Sequence, residues 1–146
     1  MRRHARLDAS AVAVGALLTG GLLLGACGGD DDDGGDDAGA SSSIDVEARD
    51  FEFDPDSWTV AAGEEFTVDF ANEGDTEHEW AVLKAGEDIE AESEFAEEKV
   101  AFEIEATPAG ESVSQAFTLE DAGTHQVICA LPGHFTSGME GTLTVE

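Results

Sequence analysis

The sequence predicts an all-β fold, a Greek-key β-sandwich or barrel of about seven to eight short antiparallel strands, with a short helix in the 84–99 region. Two observations carry that prediction. From Ile44 onwards, apolar and polar residues alternate in short runs, the period of half-buried strands. Clusters of Gly, Pro, Asn and Asp separate those runs at the spacing of turns. A third observation sets the size: 146 residues hold one domain plus additional segments.

The additional segments come first. MRRHARLDAS is a basic leader, and the 16 residues after it, AVAVGALLTGGLLLGA, are largely apolar. That run is too short and too glycine-rich for a membrane span of about 20 apolar residues. It ends in LLGAC, which resembles a lipoprotein lipobox. Residues 1–26 are therefore expected to be a lipoprotein signal peptide, with Cys27 lipidated after cleavage. Arg2 and Arg3 leave both Sec and Tat export open. Next, GGDDDDGGDDAGASSS carries no apolar side chain larger than alanine. Such a stretch cannot bury enough surface to offset its ordering entropy. Residues 27–43 are thus expected to be a disordered acidic tether, holding a domain at 44–146 away from the outer face of the cell membrane.

The domain reads strand by strand. IDVEA alternates from Ile44, and FEF resumes after a break at Asp50. WTVAAGEEFTVDFAN reads as two strands around a turn at Ala62-Gly63. EWAVL is a short apolar run after His78. Between Lys84 and Lys99 the alternation loosens, and EDIEAESEFAEEK is rich in helix formers, hence the expected short helix. VAFEIEA alternates again and ends at a Pro108–Gly110 turn. Val113, Gln115, Phe117 and Leu119 share one face of the next strand. THQVICA follows Gly123, and GTLTVE closes the chain.

Charge bounds the partners. There are 34 Asp and Glu against six Lys and Arg, a formal net charge of −28. Loss of the leader removes Asp8 and three arginines, leaving 33 acids, three basic residues and a formal −30. Nucleic acid is excluded as a partner, because its phosphates would be repelled. The acids are spread over the whole domain. In molar salt the Debye length falls to about 3 Å, which screens their mutual repulsion. A halophilic protein is the expectation, with a docking face for a basic redox protein as the rival.

One stretch concentrates scarce chemistry. CALPGHFTSGM holds one of two cysteines, one of four histidines and one of two methionines. A thiolate, an imidazole and a thioether together suit a soft-donor metal. Two histidines and one cysteine with a long axial methionine make a blue-copper site. Cys129 ends a strand, Pro132-Gly133 turns His134 back towards it, and Met139 follows. His78 and His125 compete for the second imidazole. His125 lies four residues before Cys129, about 13 Å away along one strand. His78 enters a strand that a Greek key can set beside the Cys129 strand. The expected metal ligands are His78, Cys129, His134 and Met139, with His125 a packed core or rim residue.

NEGDTEH and GTHQVICALPGHFTSGMEGTLTV resemble the cupredoxin (type 1 blue copper) family, and within it the halocyanin- and plastocyanin-type lipoproteins. The likeness spans 44–146 and is weakest over 84–106. It implies one copper ion cycling between Cu(I) and Cu(II), no enzymatic activity, and a monomer exchanging single electrons with redox protein partners. The alternative is copper binding and delivery without a carrier role. The resemblance also implies an electron-transfer surface of His134, Leu131, Pro132 and Phe135. Two positions depart from the family pattern: Glu79 stands where many members have Asn, and His125 where relatives often have Tyr.

Overall fold

The computed structural model describes residues 42–146. The expected signal peptide at 1–26, the lipid attachment at Cys27 and nearly all of the 27–43 tether lie outside the described residues. The first strand begins at Ser43, one residue before the expected start of the domain.

Nine strands form among the described residues: β1 Ser43–Arg49, β2 Glu52–Asp54, β3 Ser57–Val60, β4 Glu65–Asn72, β5 His78–Leu83, β6 Val100–Thr107, β7 Ser112–Thr118, β8 Gly123–Ile128 and β9 Glu140–Val145. They build two sheets, β2-β1-β4-β7 and β3-β9-β8-β5-β6. Alternation decides which side chains point inward. In β1, Ile44, Val46 and Ala48 are buried while Asp45, Glu47 and Arg49 are exposed. Phe66, Val68 and Phe70 of β4 meet Trp80, Val82, Ile104, Val127 and Leu143 of the other sheet in one core. Burying these faces at about 25 cal/mol per Å² of apolar surface is what holds the two sheets together.

Two sequence expectations need correction and one gains detail. First, the run from Trp58 to Asn72 holds the two expected strands, but the strands are not all antiparallel. β3 pairs with β9 and β4 with β1, both in parallel, so the chain crosses between sheets at 61–64. Alternation specifies a strand's inward face, not its partner. Second, β7 is an edge strand in which only Phe117 is partly buried. Of the four residues expected on one of its faces, Leu119 is buried, just beyond the strand, and Val113 is exposed.

Third, the 84–99 excursion holds no α-helix. It makes two single 3₁₀ turns, Glu92–Glu94 and Glu97–Lys99. A segment this short, dense in like charges, cannot sustain a helix on propensity alone. It acts instead as a cover. Ile89 is buried, and Phe95 partly so, against Ala81, Leu83 and Ile128, on the outer face of β5 and β8. That second cluster explains why Trp80 to Leu83 are all buried.

Candidate metal centre

The strand order puts the opening of β5 beside the end of β8. Those strands pair antiparallel, Ala81 with Ile128 and Val82 with Val127. His78 heads β5, and Cys129 directly follows β8. The loop from Cys129 to Met139 then closes on itself through its backbone. His134 N–H donates to Leu131 O at 3.0 Å, Met139 N–H to His134 O at 3.1 Å, and Cys129 N–H to Met139 O at 3.2 Å. Gly133 adopts φ 87°, a left-handed conformation that glycine takes without Cβ strain. A 3₁₀ turn at Phe135–Ser137 completes the loop.

Three donor atoms converge as a result. The ring nitrogens of His78 and His134 and the sulfur of Cys129 lie within 4.8 Å of one another. His78 Nδ1 is 3.2 Å from His134 Nδ1, and Cys129 Sγ is 3.3 Å from the same His134 Nδ1. Donors about 2.0–2.3 Å from a shared trigonal centre lie roughly 3.5 Å apart, so this spacing suits one ion. His78 and Cys129 are fully buried, and His134 is partly exposed. Met139 is also fully buried, in the same apolar cluster as Cys129. His125 is absent from this group. It is buried on β8, with Nδ1 2.8 Å from Leu83 O.

Electrostatics favour a metal over a bare thiol. Burial pushes the Cys129 thiol up to about 11, against the pull of N–H groups from Glu79 and Leu131. A thiolate there needs a cation to stabilise it. Burial, followed by the neighbouring His78, lowers the His134 pKa and leaves a neutral imidazole able to ligate. Glu79 has a specific place. Its N–H donates to Cys129 Sγ at 3.5 Å, so the backbone supplies this contact to the sulfur. Burial also raises its carboxyl pKa, against the Ala130 N–H, which lowers it.

The sequence matches the family model for copper-binding proteins of the plastocyanin/azurin type over residues 40–146. The chain belongs to this cupredoxin family. The His78, Cys129 and His134 cluster is the site for its single copper ion. Auracyanin-A of Chloroflexus aurantiacus is 32% identical over 145 residues, covering 85% of this chain and 89% of that protein. Auracyanin-B of the same organism is 31% identical over 105 residues, covering 61% of this chain but only 45% of its own length. Among solved structures, the dithionite-reduced auracyanin of Roseiflexus castenholzii superposes with a TM-score of 0.66 at 26% identity. That match covers 74% of this cupredoxin and 99% of the auracyanin.

Three contributors to the centre carry no sequence motif. Asp50, in the turn between β1 and β2, has Oδ1 3.2 Å from His78 Nε2. Phe51, next to it, sets its ring edge-on to His134 with centroids 5.4 Å apart. Glu92, in the cover segment, accepts N–H groups of Gly133 at 2.7 Å and Thr136 at 3.3 Å. The loop residues expected at an electron-transfer surface divide by burial. Pro132 is exposed, Leu131 packs partly against the main core, and Phe135 packs partly against the outer cluster.

Proposed function

We propose that this cupredoxin is a type 1 blue-copper carrier of single electrons, tethered to the outer face of the cell membrane. The convergence of His78, Cys129 and His134 donors within 4.8 Å carries the reading. Met139 would supply a fourth donor, because its buried thioether follows a backbone already bonded to Cys129 and His134. Copper held there would supply a one-electron couple for exchange between a donor and an acceptor redox protein.

The chain's own residues do the rest. Burial of His78, Cys129 and Met139 excludes water and leaves no open position for a substrate, which favours a carrier over an enzyme. It also disfavours delivery, since copper handed to another protein must exchange readily. The hydrogen-bonded 129–139 loop and its anchor at Glu92 hold the donors in one arrangement through a redox cycle. His134 is the electron's exit, rimmed by Leu131, Pro132, Phe135 and Phe51. A small apolar rim suits weak, short-lived encounters that bury less than about 1,200 Å². The lipid at Cys27 and the acidic 27–43 tether keep a monomeric domain near membrane-bound partners. Its dense acidic surface suits high salt.

Optical and voltammetric measurement of the full chain loaded with Cu(II) in high salt tests this reading. The expected result is an intense blue band that bleaches with mild reductant, and a reversible one-electron wave. Pale copper that a mild chelator strips quickly would point to delivery and overturn the carrier reading.

A further inference from the structure

We propose that Asp50 is a positioning residue of the copper centre, fixing the orientation of the His78 imidazole and biasing the site towards the oxidised ion. The inference rests on the copper reading above and deepens it. Asp50 lies 28 residues before His78, in the turn joining two strands of the other sheet, yet its Oδ1 sits 3.2 Å from His78 Nε2. An ionised carboxylate can only accept. His78 Nε2 must therefore carry the hydrogen, which leaves the lone pair of the neutral ring on Nδ1. Nδ1 is the atom facing His134 and Cys129. One contact thus sets both the tautomer and the ring angle of a ligand, the role carboxylates play behind metal-bound histidines. The charge adds a second effect. A negative group behind a ligand stabilises Cu(II) more than Cu(I).

Two independent features show that the surroundings are shaped around this pair. Gly74 passes so close that a Cβ there would lie 2.7 Å from Asp50 Oδ1 and 2.7 Å from His78 Nε2. Buried Asn72 holds that segment in place. Its Oδ1 accepts Gly74 N–H at 2.9 Å, and its Nδ2 donates to Thr76 O and Thr107 O. The Asp50 turn is itself costly to form. Phe51 has φ 69°, a left-handed backbone that a bulky residue seldom adopts. Strain of this kind gathers at functional sites. The conformation sends Asp50 to one imidazole while Phe51 lies on the other. Asp75 N–H at 3.0 Å and Thr76 Oγ1 at 3.4 Å also donate to Asp50 Oδ1, so the carboxylate is held on several sides.

The test compares full-length wild type with Asp50→Asn, Asp50→Ala and Gly74→Ala, copper-loaded at one fixed high salt. Asp50→Asn keeps an acceptor oxygen and removes the charge. It should stay blue while its reduction equilibrium shifts about three- to ten-fold towards Cu(I), about 30–60 mV for one electron. Asp50→Ala should shift at least as far and also lose the fixed tautomer, and Gly74→Ala should do so by pushing the pair apart. Nitrogen-15 NMR of the copper-free proteins gives a readout independent of the metal. The Nε2–H form of His78 should dominate in wild type and Asp50→Asn, and lose that dominance in Asp50→Ala. A blue Asp50→Asn variant with wild-type potential would overturn the inference, because a purely structural Asp50 predicts that result. A mixed His78 tautomer in the wild type would overturn it too, even if Asp50→Asn failed to fold. A wild-type protein that never turns blue would instead defeat the carrier reading, while the NMR comparison would still decide the Asp50 contact.

Discussion

Replacing His125 by Ala should cost the fold dearly and the copper centre nothing. The ring is only 2% exposed and lies inside β8. Its Nδ1 is 2.8 Å from Leu83 O, and its Nε2 is 3.4 Å from Asp121 O. Truncation removes the shorter bond and strands a buried acceptor, which costs about 1–3 kcal/mol. The cavity left by a buried ring adds about 2 kcal/mol, below the 3–5 kcal/mol of Phe→Ala because an imidazole is smaller and more polar. A loss of about 3–5 kcal/mol follows, well above the 1 kcal/mol usual for a point change. At a urea m-value of about 1.5 kcal/mol/M, the midpoint falls by about 2–3 M. His125→Asn returns a donor to roughly the Nδ1 position and should recover part of that loss. The assay is urea unfolding of both variants in high salt, beside their visible spectra after copper loading. His78→Ala is the contrast, since it should lose the blue band. A blue His78→Ala next to a colourless His125→Ala would refute the ligand choice. A His125→Ala midpoint within about 0.3 M of wild type would refute the burial argument.

Glu92→Ala frees the Gly133 and Thr136 amides of the ligand loop, so copper affinity should fall about ten-fold in a chelator competition while the blue band persists. Copper uptake tracks protonation of Cys129, whose thiol sits at about 11, so the sulfur is protonated before loading and ionised after it. At pH 8 uptake should therefore release about one proton, and affinity should rise with pH until that value is passed; His134 adds nothing, because its lowered pKa already leaves it neutral. Calorimetry in buffers of different ionisation enthalpy measures the proton count, and zero would contradict a buried thiol. Cys27→Ala should move the protein from membranes to the soluble fraction, since acyl chains supply the anchor; continued sedimentation would point to a retained N-terminal segment.

What the sequence could disclose follows from how far each interaction reaches along the chain. The Cys129–Met139 loop is local, so its ligands and turn lie in one readable stretch. The inward faces of β1 and β4 follow from alternation alone. Pairing does not: β3 and β4 are neighbours in the sequence but belong to different sheets. Long-range contacts leave no local mark. Asp50 meets His78 across 28 residues, and Glu92 meets Gly133 across 41. Both are single acids in a chain with 34, so neither stands out. The FEF break at Asp50 gave a position but not its reach. Likewise the glutamate-rich 84–99 segment reads as helix, because its Ile89 and Phe95 gain meaning only against the outer face of β5 and β8.

The most direct measurement is X-ray absorption at the copper edge of the full-length protein, oxidised and reduced, beside Cys129→Ser. One short copper–sulfur distance and two copper–nitrogen distances are expected, nearly unchanged between the two oxidation states. The short sulfur shell should vanish in Cys129→Ser. A wild-type copper surrounded only by nitrogen and oxygen, or a coordination shell that rearranges on reduction, would contradict that expectation.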